Sequence, residues 1–351
     1  MKKFLSIALS AALAASLTAC GSSSSSASAA GSASSGKTYK VAVVKQLQHA
    51  SLDEIADAVT GELDALAEKN GVTIEYGDVY DGQNDQSQLT TIANQIASDQ
   101  VDAVIPIATL AAQTMAASLS DTPVVFAAIS DPESADLTGI DNVTGTSDAL
   151  NTDQIMDMMF AQNPDIKTVG LLYSKSETNS AKPIEEAKAY LDEKGVKYVE
   201  ATGNTTDEVQ SAVSTLISQK VDAVFTPTDN VVMAAELSIA DTLAEAGIPH
   251  YTGADSFVRN GAFATCGVNY TQLGKLTADL AYQVMTKGMD SLDGFELDGT
   301  TARDGYYVVN GSIVTVNTET AEKGGFKYDM FSDYGEVNEV TTTKDCRRYN
   351  R

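Results

Sequence analysis

The sequence predicts an α/β protein made of two similar Rossmann-like βαβ lobes with a hinge and an interlobe cleft. Three observations carry that prediction. From Tyr39 onward, apolar runs of strand length alternate with helical patterns. The same order of runs then recurs further along the chain, at offsets of 128, 124, 120 and 126 residues. About 315 residues follow the N-terminal segment, more than one domain usually holds.

The N-terminal segment comes first. Lys2 and Lys3 precede an apolar run from Phe4 to Ala15, and Leu17-Thr18-Ala19-Cys20 follows. This is the layout of a secretory signal peptide over residues 1–19, too short for a spanning helix. Leu-x-Ala-Cys resembles the bacterial lipobox, which implies a lipidated Cys20 and an extracytoplasmic protein anchored to the cell membrane. Residues 20–36 are almost entirely Ser, Ala and Gly beyond that cysteine, a composition suited to a flexible leash. Gly31 to Thr38 fits the P-loop pattern letter for letter. It lies in this leash, before the first strand instead of between a strand and a helix, so nucleotide binding is not expected there.

The first lobe, residues 37–145, has strand-like runs at Val41–Val44, Val72–Tyr76, Asp102–Ile107 and Pro123–Phe126. Between them lie helical patterns such as Leu52–Lys69 and Gln86–Ser98. Short β-branched runs of this kind suit buried parallel strands joined by crossover helices. The second lobe, residues 146–260, answers with Val169–Tyr173, Gly195–Val199, Val221–Val224 and Ile248–Tyr251; Val221-Asp-Ala-Val224 copies Val101-Asp-Ala-Val104. A period this long marks a duplicated domain. The crossing between lobes is expected near Val143–Ser147, with a return after Gly261–Val268. Residues 261–325 read as hinge return and C-terminal elements, and 326–351 as a polar tail.

Acidic residues outnumber basic ones 48 to 23, for a formal net charge of −25. That excludes nucleic acid as a natural partner. Beside Cys20 there are only Cys266 and Cys346, and no Cys/His cluster suggests a metal or other cofactor. A Cys266–Cys346 bridge suits the compartment, although two free thiols is the favoured reading. With two histidines and none of the common catalytic motifs, the chain does not read as an enzyme. A monomer is expected.

Ligands of open α/β sheets sit at the carboxyl ends of the strands, beside helix N-termini. The loops there supply the candidate binding residues: Gln48, His49, Thr109, Ser130 and Asp131 from the first lobe; Tyr173, Ser176, Asn179, Ser180, Thr228, Asp229, Asn230 and Asp255 from the second. Thr109, Ser176 and Thr228 stand where helices begin, so hydroxyls with backbone N–H groups suit a carboxylate. Asp229 or Asp255 suits an ammonium. Each has a plainer reading. Helix capping accounts for Thr109 and Ser180, and a turn before Pro132 accounts for Asp131. His49 fits a surface loop, Tyr173 fits the core, and His250 reads as a packed histidine.

These loops also carry a resemblance. Gln48-His49-Ala-Ser-Leu-Asp53, Asp85-Gln-Ser, Ile107 to Gln113, Ser130-Asp131-Pro132, Asn142-Val-Thr-Gly145, Leu172 to Ser180, Pro227 to Asn230 and Asp255-Ser256 keep their order over Lys40–Met285. The chain resembles the ABC transporter substrate-binding protein family that includes the tryptophan/tyrosine receptors. The resemblance implies a type I periplasmic-binding-protein fold, an amino-acid-like ligand, aromatic ones included, and delivery to a permease driven by a separate ATPase. Gln48-His49-Ala50 stands where the family has Glu-His-Pro, and Ala108-Thr109-Leu110 where it has Ala-Thr-Pro. A sensory module for a membrane receptor or kinase is the alternative, and an extracellular hydrolase a more distant one.

Overall fold

The computed structural model describes residues 36–310 and 313–342. The signal segment, Cys20, the serine leash up to Ser35 and Cys346 lie outside the described residues. The first run of elements is β1 (Thr38–Lys45), α1 (Ala50–Asn70), β2 (Thr73–Tyr76), β3 (Tyr80–Asp81), α2 (Gln86–Asp99), β4 (Ala103–Ile107), α3 (Thr109–Ser118), β5 (Val124–Ala127) and β6 (Val143–Ser147). The second is α4 (Thr152–Gln162), β7 (Thr168–Tyr173), α5 (Thr178–Lys194), β8 (Lys197–Thr202), α6 (Thr206–Ser218), β9 (Ala223–Thr226), α7 (Asn230–Glu245), β10 (His250–Thr252), α8 (Asp255–Arg259) and β11 (Ala264–Gly267). The chain then continues through α9 (Tyr270–Lys287), β12 (Thr300–Arg303), β13 (Tyr306–Val309), β14 (Ile313–Asn317), α10 (Thr318–Gly324) and β15 (Val337–Val340).

The duplication read from the sequence is visible as topology. One sheet runs β12-β13-β6-β5-β4-β1-β2, with β3 also on β1, and the other runs β15-β14-β11-β10-β9-β7-β8. Within each, the five repeat-derived strands are parallel and in the same spatial order. The copied Val-Asp-Ala-Val motif does the same work in both. Asp102 accepts the Lys40 N–H at 2.7 Å, and Asp222 accepts those of Lys167 and Thr168 at 2.8 and 2.9 Å. Each carboxylate thus ties the start of a central strand to the loop entering its neighbour. Two α/β lobes built this way are the type I arrangement that the resemblance implies.

The chain passes between the sheets after β6, where α4 packs on the second sheet, and again between β11 and α9. A third passage separates β13, in the first sheet, from β14, in the second. Helix α9 therefore belongs to the first lobe, where it lies along α1. Gly274 makes that approach possible: a Cβ there would stand 2.7 Å from both the Ala58 Cβ and the Ile55 carbonyl oxygen.

Residues 326–342 are not a polar tail. β15 adds a parallel strand to β14, and Phe331 is fully buried. Phe331, Phe326, Phe263 and Tyr251 form an aromatic cluster with ring centroids 5.0–6.4 Å apart. Sequence composition misleads here because polar residues surround a few widely spaced aromatic anchors. Replacing Phe331 by Ala should destabilise the protein by about 3–5 kcal/mol in urea denaturation, as expected for an emptied aromatic core position; an effect below 1 kcal/mol would mean that this segment does not close the second lobe.

Candidate functional site

The carboxyl ends of both sheets face one another, and the helices that follow β1, β4, β7 and β9 start there. His49, Ala108, Glu177 and Asp229 are the residues that precede α1, α3, α5 and α7. Only Asp229 caps its own helix with its side chain: its carboxylate accepts the Val232 N–H at 2.9 Å. The side chains of His49 and Glu177 make no such bond and are free to reach across the cleft. Ala108 pays for its place with strain, at φ 76° and ψ 164°, a region that side chains other than glycine's hydrogen rarely tolerate.

A chain of hydrogen bonds crosses the cleft. The Leu110 N–H donates to Gln46 Oε1 at 2.8 Å. Gln46 Nε2 donates to Asn84 Oδ1 at 2.9 Å and to Glu177 Oε1, in the other lobe, at 3.0 Å. The second Glu177 oxygen accepts from Asn230 Nδ2 at 2.6 Å, and Asn230 Oδ1 lies 3.0 Å from His49 Nε2, back in the first lobe. Beside this chain, Ser130 Oγ lies 2.9 Å from Thr228 Oγ1 across the cleft and donates to Asp148 at 2.9 Å. Asp148 follows β6 in the first interlobe passage and also accepts the Tyr270 hydroxyl, at the second passage, at 2.9 Å. Ser51 and Ser256 meet at 2.5 Å, and Lys182 pairs with Asp131 at the rim at 3.3 Å.

These contacts enclose a cavity of about 20 Å³, space for a water molecule or two. Ligand pockets run upward from about 300 Å³, so the lobes meet here in a closed state and must part to admit a ligand. The lining brings together His49, Thr109, Ser130, Asn179, Thr228, Asp229 and Asn230 from the sequence expectation. It adds Ser51, Leu52, Asp148, Met233, Phe257 and Tyr270, which that expectation missed.

The other expected residues stand elsewhere. Gln48 points to solvent. Asp131 is held at the rim by Ser134 and Lys182. Tyr173 packs in the core of the second lobe, where its hydroxyl donates to Glu200 at 2.6 Å. Ser176 is exposed and bonded to Ser174. Ser180 is buried but spends its hydroxyl on Asp229, at 2.7 Å. Asp255 pairs with Arg259 one turn along α8. Asp229 touches the cavity, yet its oxygens already accept from Ser174, Ser180 and Val232, so it is a loop-organising carboxylate with little capacity left for an ammonium. His250 is packed as expected, between Glu236 and Thr226.

Gln46 and Glu177 were the most consequential omissions. A signal existed for Glu177: the offset of 128 that pairs Val41 with Val169 also pairs it with His49, and both residues bond to Asn230.

Residues 40–322 match the ABC transporter substrate binding protein family. The chain belongs to that family. It is 31% identical over 256 residues to a tyrosine-binding protein of Clostridioides difficile, a match covering 72% of this chain and 74% of that one. Its fold matches the ABC domain in complex with L-Trp from Streptococcus pneumonia, with a TM-score of 0.74 and 28% identity over 87% of this chain and 100% of that one. A ligand-free, open substrate binding protein with adhesive properties from Clostridium difficile gives 0.60 and 26%, over 86% and 100%. As a substrate-binding protein of an ABC transporter, the chain is built to bind and release a small molecule outside the cytoplasm.

Burial sets the protonation of the cleft. It lowers His49 from 6.5 to about 4, which keeps the ring neutral. Burial, aided by the nearby Asp229 charge, raises Glu177 from 4.5 to about 7. Burial likewise raises Asp148 and Asp229. Glu177 therefore holds a proton in the closed protein that an exposed glutamate loses, and favours the folded form as pH falls from 7 to 4.5. His49 acts in the opposite sense between 6.5 and 4. Relative to wild type, the stability of Glu177→Gln should rise with pH between 4.5 and 7, by up to about 1.4 kcal/mol per pH unit. That of His49→Gln should fall with pH over its own window. Urea denaturation across pH 4–8 reads both slopes, and parallel profiles for the variants and wild type would contradict the assignment.

Proposed function

We propose that this chain is the lipid-anchored, extracytoplasmic receptor of an ABC importer that closes on an aromatic amino acid and presents it to a membrane permease. The observation that carries this reading is the composition of the interlobe cavity. Leu52, Met233, Phe257 and the Tyr270 ring offer apolar surface, while Thr109, Ser130, Asn179, Thr228 and His49 offer hydroxyl, amide and imidazole groups. A ligand with one apolar ring and a compact polar head matches such a lining. The tyrosine-binding relative and the L-Trp complex support the same class of ligand.

Closure is the working step. The hydrogen bonds that now join the lobes directly, Gln46 to Glu177, His49 to Asn230 and Ser130 to Thr228, are of a kind that each contributes about 0.5–1.5 kcal/mol, more where a charge takes part. A ligand seated between the lobes exchanges some of them for bonds to itself, and its differential affinity for the closed state shifts the population. The closed form is then the one a permease distinguishes from the open form. A lipid on Cys20 and the serine leash would keep the receptor beside that permease and free to rotate.

Thermal unfolding in the presence of each standard amino acid tests the ligand class. L-tyrosine or L-tryptophan should raise Tm, with about 2.7 kcal/mol of stabilisation at one hundred times Kd, whereas aspartate and lysine should not. A flat response to both aromatic amino acids would contradict the reading. Cys20→Ser should leave ligand affinity within twofold of wild type while releasing the protein from the membrane fraction and abolishing uptake; retained membrane association would overturn the anchor.

A further inference from the structure

Above about pH 7, the hydrogen bonds around Glu177 fix which groups donate and which accept. Glu177, while ionised, only accepts, so Asn230 must turn its Nδ2 toward Glu177 and its Oδ1 toward His49. His49 must then carry its hydrogen on Nε2. The ring is neutral, so Nδ1 holds a lone pair, and this buried atom has no partner in the protein. The same reasoning applies to Asn179. Its Nδ2 donates to the Thr228 carbonyl at 2.7 Å, which leaves Oδ1 as an acceptor, also buried and also without a partner. Both side chains are more than nine-tenths buried, and both residues line the cavity.

The charge of the lining points the same way. Asp148 and Asp229 belong to it, and among the described lining residues there is no lysine or arginine. A buried acceptor without a donor costs on the order of 1–3 kcal/mol, and buried carboxylates without a counter-charge are more costly still. An incoming group that donates several hydrogens and carries a positive charge relieves both.

We infer that the protein grips its ligand through a protonated primary amine, which donates to His49 Nδ1 and Asn179 Oδ1, with Glu177 as the positioning residue that keeps His49 an acceptor. The amine then outweighs the ligand's carboxylate in recognition, since only hydroxyls and backbone N–H groups are at hand for the latter. This deepens the proposed amino-acid function and rests on it.

Calorimetric titration with three ligands of one shape tests it: L-tyrosine, tyramine, which lacks the carboxylate, and 3-(4-hydroxyphenyl)propionate, which lacks the amine. Tyramine should bind within about tenfold of tyrosine, and the propionate at least a hundredfold more weakly. Propionate binding as tight as tyramine's would overturn the inference while leaving the aromatic ligand class standing. Should tyrosine itself fail to bind, the same triads built on each amino acid that does stabilise the protein separate the two readings. A deaminated acid that binds like its parent overturns amine recognition, and failure of the aromatic members alone overturns only the ligand class. Asn179→Leu should weaken binding of the amine at least tenfold with its unfolding curve still cooperative. Glu177→Gln frees the Asn230 amide to turn and should narrow the preference for amine over acid at least tenfold, a ratio that a purely structural role would leave unchanged.

Discussion

Above about pH 7, where Glu177 is ionised, the hydrogen-bond pattern of the closed arrangement depends on one buried charge. The Glu177 carboxylate lies between the lobes and accepts Gln46 from one and Asn230 from the other, and among the described residues that line the adjoining cavity there is no lysine or arginine. A carboxylate in that position is costly by itself. What stabilises it is a set of amide donors, each held by a second partner: Gln46 by the Leu110 N–H and Asn84, Asn230 by His49. The polarity of the whole strip follows from this single acceptor. If Glu177 takes up a proton, one of the two amides faces a donor, and the reason for the neighbouring orientations is lost.

A second group, Asp148, connects the cleft to the hinge. It sits in the first interlobe passage, accepts Tyr270 from the second, and accepts Ser130 from the cleft wall. A rearrangement of the passages on opening therefore reaches Ser130 and, through it, Thr228. The strained Ala108 and the left-handed Ala128 stand at the ends of β4 and β5, the strands that carry this wall. Small side chains there keep the backbone close to the cavity. Strain of this kind persists where the surrounding structure over-determines it, as it does between two packed lobes.

The fold was legible because a duplication repeats its own evidence. Val101-Asp-Ala-Val104 and Val221-Asp-Ala-Val224 announce equivalent strands, and their aspartates make equivalent bonds. The cleft was legible as a set of loops, since topology places strand ends together, and seven of the thirteen expected binding residues line it. The assignment of individual side chains was less so. Tyr173 ends β7 and packs into the core, whereas Ser176 lies in the turn before α5 and faces solvent, a difference set by packing that the loop position alone does not reveal. Gln46 and Glu177 are 131 residues apart and acquire meaning only as partners. The segment after Gly325 was misread because three or four aromatic side chains, and not its average polarity, determine that it folds against the second lobe.

Hydrogen exchange at the Leu110 amide, which donates to Gln46 at the head of the strip, is the most direct test that an ionised Glu177 holds the lobes together. At pH 8 and with a saturating amine ligand, exchange at Leu110 in Glu177→Gln should be at least tenfold faster than in wild type, with the amides of the β4 interior unchanged. Equal protection of Leu110 in the two proteins would contradict the account.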